Sequence, residues 1–204
     1  MISVPRLYAI VDAAFFPSTQ ALMIFVNALA AGGCTLLQYR NKNGNARLML
    51  EQARELKRRL GGKAKLIMND RADLCLAAEF DGVHVGQDDL SPESVRRIIG
   101  TERRLGLSTH NPEQVAMADR TSADYLAIGP VFSTSSKEKP DPLVGLEGVR
   151  QARSLTRKPL VAIGGITRAN AVSVIESGAD SVAVISDLIR EPRKSAEEFL
   201  RILR

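Results

Sequence analysis

A regular alternation of short apolar runs with amphipathic helical patterns constrains the fold of this chain more than any other sequence feature. Eight such strand–helix pairs divide the 204 residues into units of roughly 25 residues each, and eight parallel strands are the number that closes a barrel. We therefore predict an α/β fold, a single-domain (β/α)8 TIM barrel that spans residues 1–204. A doubly wound sheet would favour fewer strands and a first-turn GxGxxG motif, which the sequence lacks.

Turn and capping signals delimit the predicted elements. Gly32-Gly33 and Gly61-Gly62 are typical helix ends, and Ser91 and Asn111, each followed by Pro and Glu, are typical helix starts. The predicted strands are 6–12, 35–40, 65–69, 82–86, 105–108, 125–131, 159–163 and 181–185. The predicted helices are 18–31, 45–60, a short one ending at 78, one from 91, one from 111, then 146–155, 169–177 and 195–203.

Composition excludes several classes of protein. The net charge is +5, but the basic residues are scattered, and aromatic residues make up only 4% of the chain. The sequence has neither zinc-finger spacing nor a basic-aromatic platform, so we expect anionic small molecules and no nucleic acid as partners. The best apolar run, 21–31, is too short to span a bilayer, and Cys34 and Cys75 carry no metal or redox motif, so we expect a cytoplasmic protein. The sequence leaves a homo-oligomer open.

Two aspartates follow the third and fourth predicted strands, at Asp70 and Asp89. The carboxyl ends of parallel barrel strands meet on one rim, so both carboxylates can approach one hard cation such as Mg²⁺. An aspartate after a strand is also a common turn or capping residue, and this alternative stays open. Further polar residues reach the same rim: Gln38, Arg40, Lys42, Asn69, Gln87, Ser108, His110, Thr134, Ser135, Ser136, Lys137 and Ser186.

The rim residues include groups that bind phosphate. Arg40 and Lys42 are two residues apart, which places them on the same side of an extended chain as Gln38. Gly164-Gly165 follows the seventh strand and Ile185-Ser186 ends the eighth, where many barrels bind a phosphate on backbone N–H groups. Residues 132–144 form the longest irregular segment, and we interpret it as a lid.

The two histidines have different expected roles. His84 lies between valines inside a strand and is expected to be an interior residue whose ring is satisfied by hydrogen bonds. His110 follows the fifth strand, near the site, and the alternative that it belongs to the helix-capping turn at Asn111 stays open. Asp12, at the end of the first strand, is a candidate for a supporting role.

Several short motifs, one per strand and in order, resemble the thiamine phosphate synthase family over nearly the whole chain. They are AGGCTLLQYRNK, IMND, GVHVGQDDL, GLSTH, GPVFSTSSK, GLEGV, IGGI and AVIS. The resemblance implies an enzyme that joins a pyrimidine diphosphate to a thiazole phosphate, with Mg²⁺ as cofactor and release of pyrophosphate.

The resemblance also implies roles for individual residues. The pyrimidine diphosphate would be held by Gln38, Tyr39, Arg40, Asn41, Lys42, Asn69, Ser108 and Lys137, of which Arg40, Lys42, Ser108 and Lys137 would be catalytic. The thiazole phosphate would be held by Thr134, Ser135, Ser136, Gly165, Ile185 and Ser186. Mg²⁺ would be held by Asp70 and Asp89.

The sequence departs from the family pattern at a few positions. Tyr39 replaces the usual Leu, Asn41 the usual acid and Ser133 the usual Pro, and the lid contains its own KEKPDP sequence. A related branch of thiazole tautomerases would use His110 as a base and no metal, and a phosphate-ligand sensor would catalyse nothing. Retention of Asp70, Asp89 and Lys137 favours the synthase.

Overall fold

Eight parallel strands close into a barrel in which each strand pairs with its neighbours in sequence, and β1 completes the ring by pairing with β8. The structure is a computed structural model that describes residues 4–134 and 141–204. The strands are β1 (Leu7–Asp12), β2 (Leu36–Arg40), β3 (Lys65–Asn69), β4 (Gly82–Val85), β5 (Arg104–Thr109), β6 (Tyr125–Ile128), β7 (Leu160–Ile163) and β8 (Ser181–Val184). The predicted (β/α)8 barrel is confirmed.

A helix follows each strand and covers the barrel from outside, where its apolar face packs against outward-facing strand residues. In the described part of the chain these helices are α1 (Thr19–Ala31), α2 (Ala46–Leu60), α3 (Ala72–Ala77), α4 (Pro92–Ile99), α5 (Pro112–Asp119), α6 (Gly145–Leu155), α7 (Ala171–Glu176) and α8 (Pro192–Ile202). Short 3-10 helices follow β1 and β8, at Ala13–Phe15 and Ser186–Leu188. Among residues 4–134 and 141–204, the longest helices are too short or too polar to cross a bilayer.

Two predicted element boundaries differ from the structure by three residues. Strand β6 ends at Ile128 instead of residue 131, because Pro130 has no N–H with which to continue the ladder. Helix α8 begins at Pro192, three residues before the predicted start, since proline is favourable in the first turn of a helix. Ser195, predicted to open this helix, is instead buried inside it.

Side chains alternate between the two sides of every strand and form two apolar layers. The larger layer lies between the strands and the helices. The smaller one fills the barrel and consists of Tyr8, Ile10, Leu36, Ile67, Tyr125, Ala127, Val161 and Ala183. Polar residues above this inner layer, toward the carboxyl ends of the strands, therefore face the barrel mouth.

The amino-terminal end of the barrel is stabilised by a repeated aspartate contact. Asp81, Asp124 and Asp180 directly precede β4, β6 and β8, and each carboxylate accepts a backbone N–H from the preceding strand. The donors are, in order, Leu66 at 3.0 Å, Leu105 at 2.7 Å and Leu160 at 2.8 Å. Arg96 and Arg153 pair with the second and third of these carboxylates. These contacts stabilise the amino-terminal end of the barrel. The polar residues that can form a site lie at the opposite end.

Candidate active site

A cavity of about 490 Å³ opens at the carboxyl ends of the strands, and all eight strands contribute residues to its wall. Most residues predicted to form the site line this cavity together: Gln38, Arg40, Lys42, Asn69, Asp70, Asp89, Ser108, Thr134, Gly165, Ile185 and Ser186. Ser135, Ser136 and Lys137, together with part of the predicted lid 132–144, lie outside the described residues. Residues predicted for the pyrimidine diphosphate and residues predicted for the thiazole phosphate thus line the same cavity.

The side chains of Tyr39 and Asn41, which the family resemblance assigns to the pyrimidine diphosphate, do not line the cavity, so their contact with substrate stays a prediction. Gln38 and Arg40 face the barrel mouth, so strand alternation turns Tyr39 outward, where it is buried and donates to Gln52. Asn41 donates to the Tyr39 hydroxyl at 3.2 Å and accepts the N–H of Gly44 at 2.7 Å. Both side chains therefore stabilise the connection from β2 to α2.

The carboxylates of Asp70 and Asp89 lie side by side at the rim. Asp70 has a left-handed backbone with φ of 60° and donates its N–H to the His84 carbonyl at 2.8 Å, which fixes where its side chain begins. Asp89 accepts the N–H of Gly86 at 2.8 Å. Burial raises the pKa of Asp70, its ion pair with Lys42 lowers it, and the adjacent Asp89 carboxyl raises it again.

This pair of acids has the chemistry of a magnesium site. Mg²⁺ is commonly held by one or two carboxylates and completes its octahedron with water and substrate phosphates. Within residues 4–134 and 141–204 no cluster of three or more His, Cys, Asp or Glu could hold a metal, so a fully enclosed protein cage is absent there. Two adjacent carboxylates at an open mouth are therefore a donor set that fits a hard cation such as Mg²⁺ and leaves positions for further oxygen ligands.

A second ion pair orients the neighbouring cation. Asp12 ends β1, is buried, and pairs with the guanidinium of Arg40 at the end of β2. The other oxygen of the same carboxylate caps the following 3-10 helix by accepting the N–H of Ala14 at 3.1 Å. Asp12 therefore supports the site indirectly, because it holds the Arg40 side chain at the rim.

Below the rim, a continuous chain of hydrogen bonds crosses the barrel interior. It runs from Gln38 to Tyr8 (2.9 Å), Tyr125 (3.0 Å), His84 Nδ1 (3.1 Å), and from His84 Nε2 to Ser108 Oγ (2.9 Å). Burial raises the pKa of both tyrosines and lowers that of His84 to about 4. The expectation of an interior, hydrogen-bonded His84 is thus confirmed, and every member of the chain is neutral near pH 7.

Tyr8 and Tyr125 are residues of the cavity region that sequence reasoning missed. Each lies in an apolar strand, and tyrosine is common in strands for packing reasons alone. The available signal was Gly106, a glycine between two leucines inside β5, since a glycine within a strand often marks a close approach of other groups.

His110 follows β5 and lines the cavity. Its Nδ1 lies 2.7 Å from the Gly129 carbonyl oxygen and 3.5 Å from Asp141, and its backbone N–H donates to Gln114 at 2.7 Å. Because a carbonyl only accepts, the Nδ1 atom carries the proton in this contact. His110 is therefore both part of the turn before α5 and a member of the cavity wall.

The loop after β7 requires glycine at two consecutive positions. Gly164 and Gly165 have φ of 101° and 63°, a region that side chains disfavour. A Cβ on Gly165 would lie 2.4 Å from the Ser133 carbonyl oxygen and 2.8 Å from Phe132 Cβ, so the segment after β6 packs directly on this backbone. The close packing leaves backbone groups, with no side chain, facing the cavity at Gly165.

Arg168 connects the loops that follow β7 and β8. Its backbone N–H and its Nε donate to the same oxygen of Asp187, at 2.9 and 3.0 Å, and its guanidinium also pairs with Glu198. Asp187 belongs to the 3-10 helix that starts at Ser186. The two backbone segments predicted to receive a phosphate are therefore held in a fixed relation by an ion pair outside the cavity.

Comparisons with known proteins agree with this geometry. A family model described as thiamine monophosphate synthase matches residues 7–188. The chain is 62% identical over 205 residues to a thiamine-phosphate synthase of Koribacter versatilis, covering 99% of this chain and 97% of that protein, and 43% identical over 187 residues to one of Chloroflexus aurantiacus, covering 90% and 85%. A solved thiamine phosphate pyrophosphorylase from Pyrococcus furiosus superposes with a TM-score of 0.86 at 34% identity, covering 97% of this chain and 95% of that one.

Proposed function

The chain belongs to the thiamine monophosphate synthase family, and from this premise we propose that it joins a pyrimidine diphosphate to a thiazole phosphate with the help of Mg²⁺. The products are thiamine phosphate and pyrophosphate, which places the enzyme in thiamine biosynthesis. The observation that carries the metal part of the proposal is the adjacency of the Asp70 and Asp89 carboxylates beside two cations on the same rim.

Asp70 and Asp89 would hold Mg²⁺ against the diphosphate, and the bound metal would neutralise negative charge on the leaving group. Before the substrate binds, Lys42 and Asp70 form an ion pair. With Mg²⁺ and the diphosphate bound, the Asp70 carboxylate would hold the metal and the Lys42 ammonium would bind a phosphate oxygen, so each group would keep an oppositely charged partner. Arg40, fixed by Asp12, can bind phosphate bidentately from the next strand.

The remaining side chains position the two substrates. We propose that Gln38, Asn69 and Ser108 contact the pyrimidine and that Thr134, Gly165, Ile185 and Ser186 receive the thiazole phosphate. The barrel order supports this division, because the first group lies on β2, β3 and β5 and the second follows β6, β7 and β8. By the family resemblance, Ser135, Ser136 and Lys137 would contribute from the segment outside the described residues.

The proposed reaction needs little proton transfer. The bond between the pyrimidine methylene carbon and the diphosphate oxygen breaks, and its electron pair leaves with pyrophosphate. The thiazole nitrogen then donates its lone pair to the methylene carbon, which forms the new C–N bond. The protein contributes by holding both reactants in line and by stabilising the departing charge with Arg40 and Lys42.

Substitution of one acid tests the metal part of the proposal. Asp89→Asn should lower Mg²⁺-dependent turnover by about 100-fold or more, because loss of a metal ligand removes several kcal/mol of charge stabilisation. Asp73→Asn is the matched control, since Asp73 pairs with Arg71 outside the cavity and should leave turnover unchanged. Calorimetric titration with Mg²⁺ and pyrophosphate gives an independent readout of binding. Unchanged turnover and Mg²⁺ response in Asp89→Asn would contradict the proposal.

The reaction itself is tested with both phosphorylated substrates and Mg²⁺, by following pyrophosphate and thiamine phosphate together. Equal amounts of both products are expected. A tautomerase acting through His110 would instead convert a thiazole carboxylate phosphate without metal, and a sensor would bind ligand and release nothing. His110→Asn should therefore leave some synthase turnover, whereas it would abolish a tautomerase.

A further inference from the structure

The hydrogen-bonded chain inside the barrel connects two residues of the cavity wall through three residues that the proposed reaction does not use. Gln38 and Ser108 are its ends, and Tyr8, Tyr125 and His84 lie between them. These five residues come from five different strands, so the chain exists only in the closed barrel. The Tyr8 and Tyr125 side chains are almost fully buried, so water cannot replace their partners.

The donors and acceptors along this chain have one consistent direction. The amide nitrogen of Gln38 donates to the Tyr8 oxygen, and Tyr8 has a single hydroxyl hydrogen whose available acceptor is the Tyr125 oxygen. Tyr125 must then donate its own hydrogen to Nδ1 of His84. The reverse direction would leave the buried Tyr8 hydrogen without an acceptor, which is unfavourable.

The backbone makes room for the central link of the chain. A Cβ on Gly106 of β5 would lie 2.2 Å from Tyr125 Cζ, 2.4 Å from its hydroxyl oxygen and 2.3 Å from His84 Nδ1. A glycine in mid-strand weakens the strand because it has no side chain to pack. The absence of a side chain at Gly106 is therefore required by the contact between Tyr125 and His84.

We propose that Tyr8, Tyr125 and His84 are positioning residues that fix the Ser108 hydroxyl as a hydrogen-bond donor toward the substrate. A neutral imidazole whose Nδ1 accepts carries its proton on Nε2, and this N–H donates to Ser108 Oγ. The hydroxyl hydrogen of Ser108 is then directed away from His84 and toward the cavity that this residue lines. The inference rests on the proposed contact between Ser108 and the pyrimidine, whose ring nitrogens are acceptors.

The position of the His84 proton can be observed directly by nitrogen-15 NMR of the imidazole rings. The protein has 2 histidines, and the structure predicts opposite tautomers for them. The proton lies on Nε2 in His84 and on Nδ1 in His110, where it is donated to the Gly129 carbonyl. A His110→Asn variant assigns the signals. Tyr125→Phe should perturb the His84 signals and leave those of His110 in place. A proton on Nδ1 of His84 in the unmodified protein would overturn the proposed direction.

Turnover tests whether the chain acts through Ser108. Tyr125→Phe should lower kcat/KM by about tenfold, the size expected for one neutral hydrogen bond. In a Ser108→Ala background the same substitution should change kcat/KM by less than about twofold, because the hydroxyl that it orients is already gone. Thermal unfolding and near-ultraviolet circular dichroism establish that each variant is folded.

The control for this cycle is Tyr39→Phe, which removes a buried tyrosine hydroxyl of the outer layer. The fold-change in kcat/KM that Tyr39→Phe causes should be the same in the unmodified protein and in the Ser108→Ala background, so the effects of the two substitutions multiply. Full multiplication for Tyr125→Phe as well would overturn the positioning role. An unchanged kcat/KM in Ser108→Ala would instead overturn the proposed contact of Ser108 with the substrate, while the tautomer measurement reports on the chain itself.

Discussion

Acidification should destabilise this barrel through His84, and the size of the effect follows from the structure. Burial lowers the pKa of His84 from 6.5 to about 4 in the folded protein. The unfolded chain therefore binds this proton more readily, so the stability that His84 contributes is fully present above pH 6.5 and is lost as the pH falls toward 4. At about 1.4 kcal/mol per pKa unit, the loss between pH ~7.5 and pH ~4.5 is about 2.5 kcal/mol.

The assay is urea unfolding at several pH values in that range, with a chelator present so that no metal occupies the acidic pair. Carboxylates also titrate below pH 5, so the informative quantity is the difference between the unmodified protein and His84→Gln. Glutamine keeps an amide donor near the position of Nε2 and has no proton to gain. The unmodified protein should lose about 2.5 kcal/mol more free energy of unfolding than the variant. Equal losses would refute the reasoning, because His84 would then titrate alike in both states.

Three further predictions concern the loop after β7, the amino-terminal end of the barrel and the cysteines. Gly165→Ala should raise the KM for the thiazole phosphate by about tenfold and lower the melting temperature, because its φ of 63° and the 2.4 Å approach of the Ser133 oxygen force this backbone to move. Asp124→Ala should lower the free energy of unfolding by about 1–3 kcal/mol in urea titrations and leave kcat/KM unchanged, since it removes the acceptor of the Leu105 N–H and the partner of Arg96 far from the cavity. Both buried cysteines should resist a thiol reagent in the native protein and react fully after denaturation, as a colorimetric assay would show.

The barrel was predictable from the sequence because its signals are local and repeated. Ser91 and Asn111 accept the N–H of the residue three positions later, as the capping pattern predicted. Gly33 and Gly62 adopt the positive φ expected after a helix. The wrong end of β6 has a different origin: apolar residues continue to Val131, but the absence of an N–H on Pro130 decides where the ladder stops.

The rim was predictable for the same reason. A polar residue directly after a barrel strand lies at the carboxyl end of the barrel, next to the residues that follow the adjacent strands. The interior chain was not, because Tyr8 and Tyr125 are 117 residues apart and meet only when the sheet closes. Tyr39 shows what strand alternation adds to the family motif. The motif assigns Tyr39 to the substrate, whereas alternation along β2 with Gln38 directs its side chain outward, toward Gln52.

The cavity combines two electrostatic environments that suit two parts of one substrate. At the rim, Arg40 and Lys42 are each paired with a carboxylate, so the charges are compensated before a diphosphate arrives and can be redistributed when it does. Below the rim, burial moves the pKa of His84 away from neutrality and leaves a wall of oriented but uncharged donors and acceptors. In the proposed reaction the charged leaving group would lie at the rim, and the neutral heteroaromatic ring would lie below it. This separation would favour loss of pyrophosphate from such a ring. The dipoles around the ring are already oriented, so they would need no reorganisation when charge develops at the rim.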